Sequence, residues 1–262
     1  MAAVAGNAKV GNRVNILTRW QALEYITMQN LDRRAFELLN AIVVVPGSVG
    51  AWRRKAVFEA GGFLDDTLAE DTDLTLRIIR NGWQVAYEDT AIAYTEAPET
   101  VRNFVRQRFR WMYGTLQAVW KQRGTLFHPR HGGLGFVVLP NVVIFQVFFP
   151  FVSPLIDLAL LFSVSWALWQ GWSHTDVSAF QDAKTLGLFY LVFLAVDFCS
   201  AALPFAFERR EQKSLLLWLP LQRFFYRQLM YVVAIRSVMT ALAGKLVGWN
   251  KFSRTARFSI KR

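Results

Sequence analysis

The sequence predicts an α/β domain followed by an α-helical transmembrane region, because its composition changes sharply near residue 134. Residues 1–133 are a mixed soluble sequence with regularly spaced charges. Residues 134–248 are rich in Phe, Leu, Val and Trp, and Asp157 is the only charged residue between Leu134 and Trp169. That run is longer than the roughly 20 residues of one straight membrane span. Residues 249–262 form a basic tail.

Hydrophobic periodicity and turn residues predict the elements of the first 133 residues. A β-branched run at 42–45 is predicted as a buried strand that Pro46-Gly47 ends. In chain order, the other predicted elements are a helix or broken helix pair over 18–40, a short helix within 53–63 closed by Gly61-Gly62, a helix over about 72–80, one or two strands within 83–97, and a long helix over about 99–121.

Prolines divide the membrane region. Because proline disrupts a helix, those at 140, 150 and 154 predict a break in the first apolar run. We therefore expect, in chain order, an interfacial helix at about 136–150, spans at about 153–172 and 186–207, and an interfacial or membrane helix at about 215–243.

Three arginines interrupt the last apolar stretch, at Arg223, Arg227 and Arg236. Arginine is costly at hydrocarbon depth, so these side chains should face protein, a water-filled path or the headgroups. Two interpretations stay open: an amphipathic helix on the membrane surface, or the polar lining of a conduit.

Basic segments flank the apolar block on both sides and place both ends in the cytoplasm. We therefore expect a multi-pass protein of the plasma (inner) membrane whose α/β domain is cytoplasmic. The net charge of +11 suits anionic lipid and phosphate partners, and no basic patch carries a nucleic-acid-binding motif. The single cysteine, Cys199, excludes an intramolecular disulfide, and three histidines are too few for a metal cluster.

An acidic stretch, Glu70, Asp71 and Asp73, lies at the start of the helix predicted at about 72–80. One interpretation is structural, since carboxylates suit the first turn of a helix, where free N–H groups favour negative charge. The other is chemical, with a carboxylate acting as a general base.

A polar stripe lies on the long helix predicted at 99–121. Gln107, Arg110 and Trp111 are spaced i, i+3 and i+4 and therefore share one helix face. A guanidinium can bind phosphate oxygens and an indole can pack against a sugar ring. A membrane-surface anchor explains the same residues. A turn is predicted at Pro46, Gly47 and Ser48. Core packing or a plain turn explains these residues about as well as a role in binding does.

The segments "VVPGSVGAWRR", "AEDTDL" and "QRFRW", in this order ahead of membrane segments, resemble the processive, membrane-integrated glycosyltransferases of family 2. That family includes the synthases of cellulose, hyaluronan, chitin and poly-β-1,6-N-acetylglucosamine. The flanking sequence looks most like the bacterial poly-β-1,6-N-acetylglucosamine synthases. The resemblance implies a GT-A nucleotide-sugar domain, a UDP-sugar donor and a growing polysaccharide acceptor.

The resemblance also implies roles for individual residues. Asp71 matches the family's catalytic base, with Glu70 as its acidic neighbour, although Ala69 stands where many members have threonine. Gln107, Arg110 and Trp111 match the "QxxRW" signature, whose polar members hold the donor diphosphate and whose tryptophan underlies the acceptor sugar. The loosest match is the turn that lines the acceptor site, Pro46, Gly47 and Ser48. Reaction by direct displacement would invert the anomeric centre.

One element of the resemblance is missing. Relatives bind the uridine and a divalent cation, Mg²⁺ or Mn²⁺, through a "DxD" motif, which residues 1–67 lack. We therefore expect this chain to be the C-terminal part of a longer synthase, inactive alone, with accessory membrane subunits possible. Two other functions stay open: a non-catalytic membrane or pore subunit whose soluble half docks a partner, and a non-processive transferase with a lipid acceptor.

Overall fold

The computed structural model describes residues 1–173, 177–208 and 211–244, so the basic tail predicted at 249–262 lies outside the described residues. A three-stranded mixed sheet organises the α/β region. Strand β1 (Ala3–Val10) lies in the centre, antiparallel to β2 (Gly50–Trp52) and parallel to β3 (Val85–Thr95). The strand predicted within 83–97 is confirmed as β3.

Two strand predictions differ from the structure. The strand predicted at 42–45 is wrong, because residues 41–46 have no regular secondary structure and pair with no strand. The Val45 N–H instead donates to the Thr75 side-chain oxygen, 3.0 Å away. A side chain therefore supplies the hydrogen bond that this buried backbone N–H would otherwise make to a neighbouring strand. The central strand β1 was missed because its sequence, AVAGNAKV, is mostly small residues with weak strand preference.

Helices surround this sheet where periodicity predicts them. In chain order they are α1 (Ile16–Glu24), a π-helical segment (Tyr25–Asn30), α2 (Leu31–Glu37), α3 (Arg54–Glu59), α4 (Glu70–Arg80) and α5 (Val101–Lys121). Asn15 begins α1 with a capping box, and the Thr100 side chain caps α5. Gly61 and Gly62 follow α3 with φ of 83° and 75°, which favours glycine there.

The described part of the apolar region is almost entirely helical. Its α-helices are α6 (Leu139–Asn141), α7 (Phe149–Ser173), α8 (Val177–Ala202), α9 (Pro204–Phe207), α10 (Leu219–Leu221) and α11 (Arg227–Leu242). The π-helical segments are Leu134–Val138, Val142–Phe148 and Gln222–Tyr226, and the 3-10 helices are Arg123–Thr125, Pro129–His131 and Lys213–Trp218.

Within the described residues, two helices are long and apolar enough to cross a membrane, Leu134–Gln170 with 37 residues and Lys184–Phe207 with 24. The first stays helical through the prolines at which we predicted a break. Its two π-helical segments lie just before and after Pro140, and a π-turn accommodates a disrupted hydrogen-bond ladder without ending the helix.

Helix α11 attaches the apolar region to the α/β region by packing against α5. Val233 and Ala234 are fully buried against Met112 of α5. Two of the three arginines of this stretch face protein, which is one of the environments we expected for them. Arg223 and Arg227 both pair with Asp197 of α8, at 3.2 Å and 3.3 Å. Arg236 is exposed, and its guanidinium lies 5.2 Å from the ring centre of Phe109.

Candidate active site

The acidic stretch begins α4, and one of its acids is structural. The Asp73 carboxylate is fully buried and forms ion pairs with Arg77 at 2.8 Å and with Lys121 of α5 at 2.9 Å. The single negative charge of Asp73 is therefore compensated inside the protein by two cations. The structural interpretation of the acidic stretch holds for this residue.

Asp71 has a different environment. It is half-buried, and its Oδ1 accepts a hydrogen bond from the Thr72 N–H at 2.8 Å. Its Oδ2 accepts from the Gly47 N–H at 3.3 Å. No cationic side chain pairs with Asp71 among the described residues. Since a carboxylate has about four lone-pair positions, Asp71 keeps acceptor capacity for a further donor. Glu70 is also half-buried beside it.

The turn predicted from Pro46, Gly47 and Ser48 lies directly against this carboxylate. The Val49 N–H donates to the Pro46 carbonyl at 3.0 Å and closes the turn. Gly47 and Ser48 are exposed at its tip. The fold thus joins two segments that are 24 positions apart in sequence, through the bond between Gly47 and Asp71.

Helix α5 approaches the start of α4 unusually closely at Gly114. A Cβ at this position would lie 2.5 Å from the Ala69 backbone nitrogen, so only glycine allows the contact. The Leu68 N–H also donates to the Gln117 side chain at 3.0 Å. At 1.5 Å of rise per residue, Arg110 lies about 6 Å along the helix axis from Gly114. The polar stripe of α5 therefore begins about one turn from the acidic loop.

The three residues of the polar stripe differ in burial. Gln107 is buried, and its Oε1 has no hydrogen-bond partner among the described residues. Arg110 and Trp111 are half-buried. The Trp111 ring packs against an apolar cluster that Val49, next to the turn, also contacts. A buried amide oxygen without a partner is costly, which is typical of a site that a ligand completes.

Sequence reasoning missed the ionic group beneath this stripe. Arg108, 4% exposed, pairs with Glu24 of α1 at 2.6 Å, and the Tyr226 hydroxyl donates to the same carboxylate. Burial alone would lower the pKa of Arg108, but Glu24, Tyr226 and Tyr25 together outweigh burial and the pKa is raised. The guanidinium lies 4.6 Å from the ring centre of Trp111, which fixes the indole by a cation–π contact. The first basic residue of "QRFRW", Arg108 itself, was the available signal.

The described residues do not supply the ligands of the divalent-cation site that the resemblance implies. No group of three or more His, Cys, Asp or Glu side chains could hold a metal ion in the described part of the chain.

The α/β domain places the helix that carries the amide, guanidinium and indole stripe against the start of the acidic helix, and it continues into long apolar helices. This is the layout of a glycosyltransferase domain followed by apolar helices. The chain belongs to the family described as glycosyl transferase family group 2, whose profile matches residues 2–246. The α/β region is accordingly a partial GT-A-like domain with a mixed sheet.

Three curated relatives match the chain in part. It is 35% identical over 107 residues to a probable glucomannan 4-beta-mannosyltransferase of Oryza sativa subsp. japonica, covering 41% of this chain and 18% of that protein. It is 35% identical over 120 residues to the probable glycosyltransferase YdaM of Bacillus subtilis, covering 45% and 29%. It is 28% identical over 114 residues to a poly-beta-1,6-N-acetyl-D-glucosamine synthase of Staphylococcus aureus, covering 44% and 28%. The chain therefore matches less than a third of the length of each relative.

One solved structure is similar at the level of the whole chain. It is the mannosyltransferase PcManGT from Pyrobaculum calidifontis, in complex with GDP-Man and Mn²⁺. The similarity has a TM-score of 0.48 with 16% sequence identity, and it covers 94% of this chain and 55% of the mannosyltransferase.

Proposed function

We propose that the chain is the acceptor-binding and membrane-embedded part of an inverting, processive glycosyltransferase. It transfers a sugar, N-acetylglucosamine, from a UDP-sugar to the end of a growing β-linked polysaccharide, which leaves through the membrane. The proposed location is the plasma (inner) membrane, with the α/β domain in the cytoplasm. One observation carries the proposal: the turn at Gly47, the acidic start of α4 and helix α5 meet in one region. The Gly47–Asp71 hydrogen bond joins the first two, and the close approach of Gly114 to Ala69 joins the last two.

The proposed chemistry is a single displacement. The Asp71 carboxylate takes the proton of an acceptor hydroxyl as that oxygen attacks the anomeric carbon. The bond between the anomeric carbon and the diphosphate oxygen breaks, and its electron pair leaves with the diphosphate. Because the oxygen attacks from the face opposite the leaving group, an α-linked donor yields a β-linked product.

The polar stripe of α5 supplies the other proposed contacts. Arg110 and Gln107 bind the departing diphosphate, whose charge grows as the bond breaks. Trp111 carries the terminal sugar of the acceptor on its indole face, held in place by the Arg108 guanidinium beneath it. The Pro46–Ser48 turn borders the acceptor, and Glu70 contributes a second negative charge beside the base.

Asp71→Asn in the intact membrane protein tests the proposal. A positioned general base contributes about 100- to 10,000-fold, so incorporation of sugar from UDP-N-acetylglucosamine should fall by about that factor. Asp65→Asn is the matched control, because Asp65 is exposed and lies six positions earlier. Unchanged incorporation in a folded Asp71→Asn protein would contradict the proposal and favour a non-catalytic subunit.

The choice of sugar has its own test, because the named relatives act on mannose and on N-acetylglucosamine. UDP-N-acetylglucosamine, UDP-glucose and GDP-mannose are offered separately to the unaltered protein, and the product is sized by mass spectrometry. Long chains made from UDP-N-acetylglucosamine alone are the expected result. A product with one sugar on a lipid would show a non-processive transferase.

A further inference from the structure

Three cationic side chains are buried among the described residues, and they are not compensated equally. Lys9 is 3% exposed and pairs with Glu208 at 2.8 Å and Glu211 at 3.1 Å. Arg108 pairs with Glu24. Arg33 of α2 is 6% exposed, yet no carboxylate lies within ion-pair distance of it in the described part of the chain. A buried guanidinium without an anion is costly, so this exception calls for an explanation.

The hydrogen bonds of Arg33 hold it in place without neutralising it. Its Nη1 donates to the Asn30 Oδ1 at 3.2 Å, and Asn30 in turn donates to Asn7 of β1 at 2.8 Å. Its Nε is buried and has no partner among the described residues. The guanidinium is thus oriented by neutral amides while part of its donor capacity stays unused.

A second unused donor lies on the strand beside it. The Tyr87 hydroxyl of β3 is buried without a partner in the described chain. Its backbone N–H donates to Glu37 at 3.1 Å, and Glu37 lies four residues after Arg33 on the same face of α2. Burial lowers the pKa of Arg33, and Tyr87 and Asp71 are among the groups whose charge opposes that change. Arg33 therefore lies within electrostatic range of the candidate base.

We propose that Arg33 binds the diphosphate of the nucleotide-sugar donor, with the Tyr87 hydroxyl as a second donor to the same group. This inference rests on the proposed function. In that reaction the transferred N-acetylglucosamine and its polymer are uncharged, so the diphosphate is the one strongly anionic group available. A guanidinium fork suits phosphate oxygens, and a diphosphate supplies the missing negative charge.

Binding of UDP and of uridine to the intact membrane protein in detergent tests the assignment. Arg33→Gln should weaken UDP binding by about 10- to 100-fold, the usual loss for a hydrogen bond to a charged group. Uridine binding should not change, because uridine lacks the diphosphate. Arg54→Gln is the control, because it removes a positive charge from an exposed side chain at the start of α3.

Thermal unfolding, measured without ligand and with inorganic pyrophosphate, distinguishes a binding role of Arg33 from a purely structural one. Removal of an uncompensated buried charge should leave the Tm of Arg33→Gln equal to or above that of the unaltered protein, and inorganic pyrophosphate should no longer raise it. Arg33→Lys keeps the charge without the fork and should show intermediate UDP affinity. These measurements need no turnover, so they are independent of the Asp71→Asn result.

Unchanged UDP affinity in Arg33→Gln would overturn the inference. If the variant also shifted the pH profile of sugar transfer, Arg33 would act on Asp71 instead of on the donor. Loss of transfer in Asp71→Asn together with unchanged UDP binding in Arg33→Gln would leave the proposed function intact and refute this inference alone.

Discussion

The Glu24 and Arg108 pair offers a stability test whose magnitude can be estimated from burial. Glu24→Gln leaves the Arg108 guanidinium, 4% exposed, without its counter-charge at 2.6 Å. Removal of one partner of a buried pair costs about 3–5 kcal/mol. At about 2–4 °C per kcal/mol for a protein of 150–250 residues, the Tm should fall by about 6–20 °C.

The assay is thermal unfolding of the intact protein in detergent, with a double variant and a surface control. Glu24→Gln combined with Arg108→Met removes both charges and should recover most of the loss, because an apolar replacement needs no counter-charge. Glu59→Gln alters a surface pair, whose Lys55 and Glu59 side chains are 73% and 45% exposed, and should cost at most about 1 kcal/mol.

Two results would refute this reasoning. One is a Glu24→Gln protein as stable as the Glu59→Gln control, which would mean that water or another group compensates Arg108. The other is a double variant as unstable as Glu24→Gln alone, which would assign the loss to packing and not to the uncompensated charge.

Two further predictions concern the α4–α5 contact and the alkaline stability of the protein. Gly114→Val should lower sugar incorporation by about 100-fold, since the new side chain forces α5 away from Ala69 by an ångström or more. Gly124→Ala is the control, because a Cβ at position 124 would have no atom within 4 Å. Equal activity of the two variants would contradict the argument. Burial lowers the pKa of Lys9, but the Glu208 and Glu211 carboxylates together outweigh burial and raise the pKa above 10.5. The stabilisation from Lys9 is therefore complete below pH 10.5 and lost as the pH rises through the folded-state pKa, so Lys9→Met should flatten the alkaline limb of a Tm-against-pH curve.

Local patterns predicted the helices well, because capping residues and apolar spacing act within a few positions. The start of α5 after Thr100 and the end of α3 before Gly61-Gly62 both follow from such signals. The strand predicted at 42–45 was wrong for a reason that no local pattern contains: the partner of the Val45 backbone is a threonine side chain on α4. Strand β1 was missed because its burial comes from its central position in the sheet, and not from its own residues.

In the candidate site, too, some residues could be predicted from the sequence and others could be recognised only from the structure. Residue type and spacing singled out Asp71, Gln107, Arg110 and Trp111, and the family resemblance suggested their roles, which stay proposals. Arg108 carried no periodic signal, because its partner Glu24 is 84 positions away in sequence. Arg33 likewise looked like an ordinary helix residue, since an uncompensated charge is recognisable only when its neighbours in space are known.

By itself, the sequence determined the division into an α/β region and an apolar region, the helices of both, and membership of the glycosyltransferase group, since each depends on composition, short-range spacing or motif order. Only the tertiary structure decided that Asp73 is a paired structural acid while Asp71 faces the Gly47 turn, and that Gly114 lets α5 meet the start of α4. The physical reason is that these contacts join distant segments, whose approach is set by how the whole core packs and not by the residues on either side of each one.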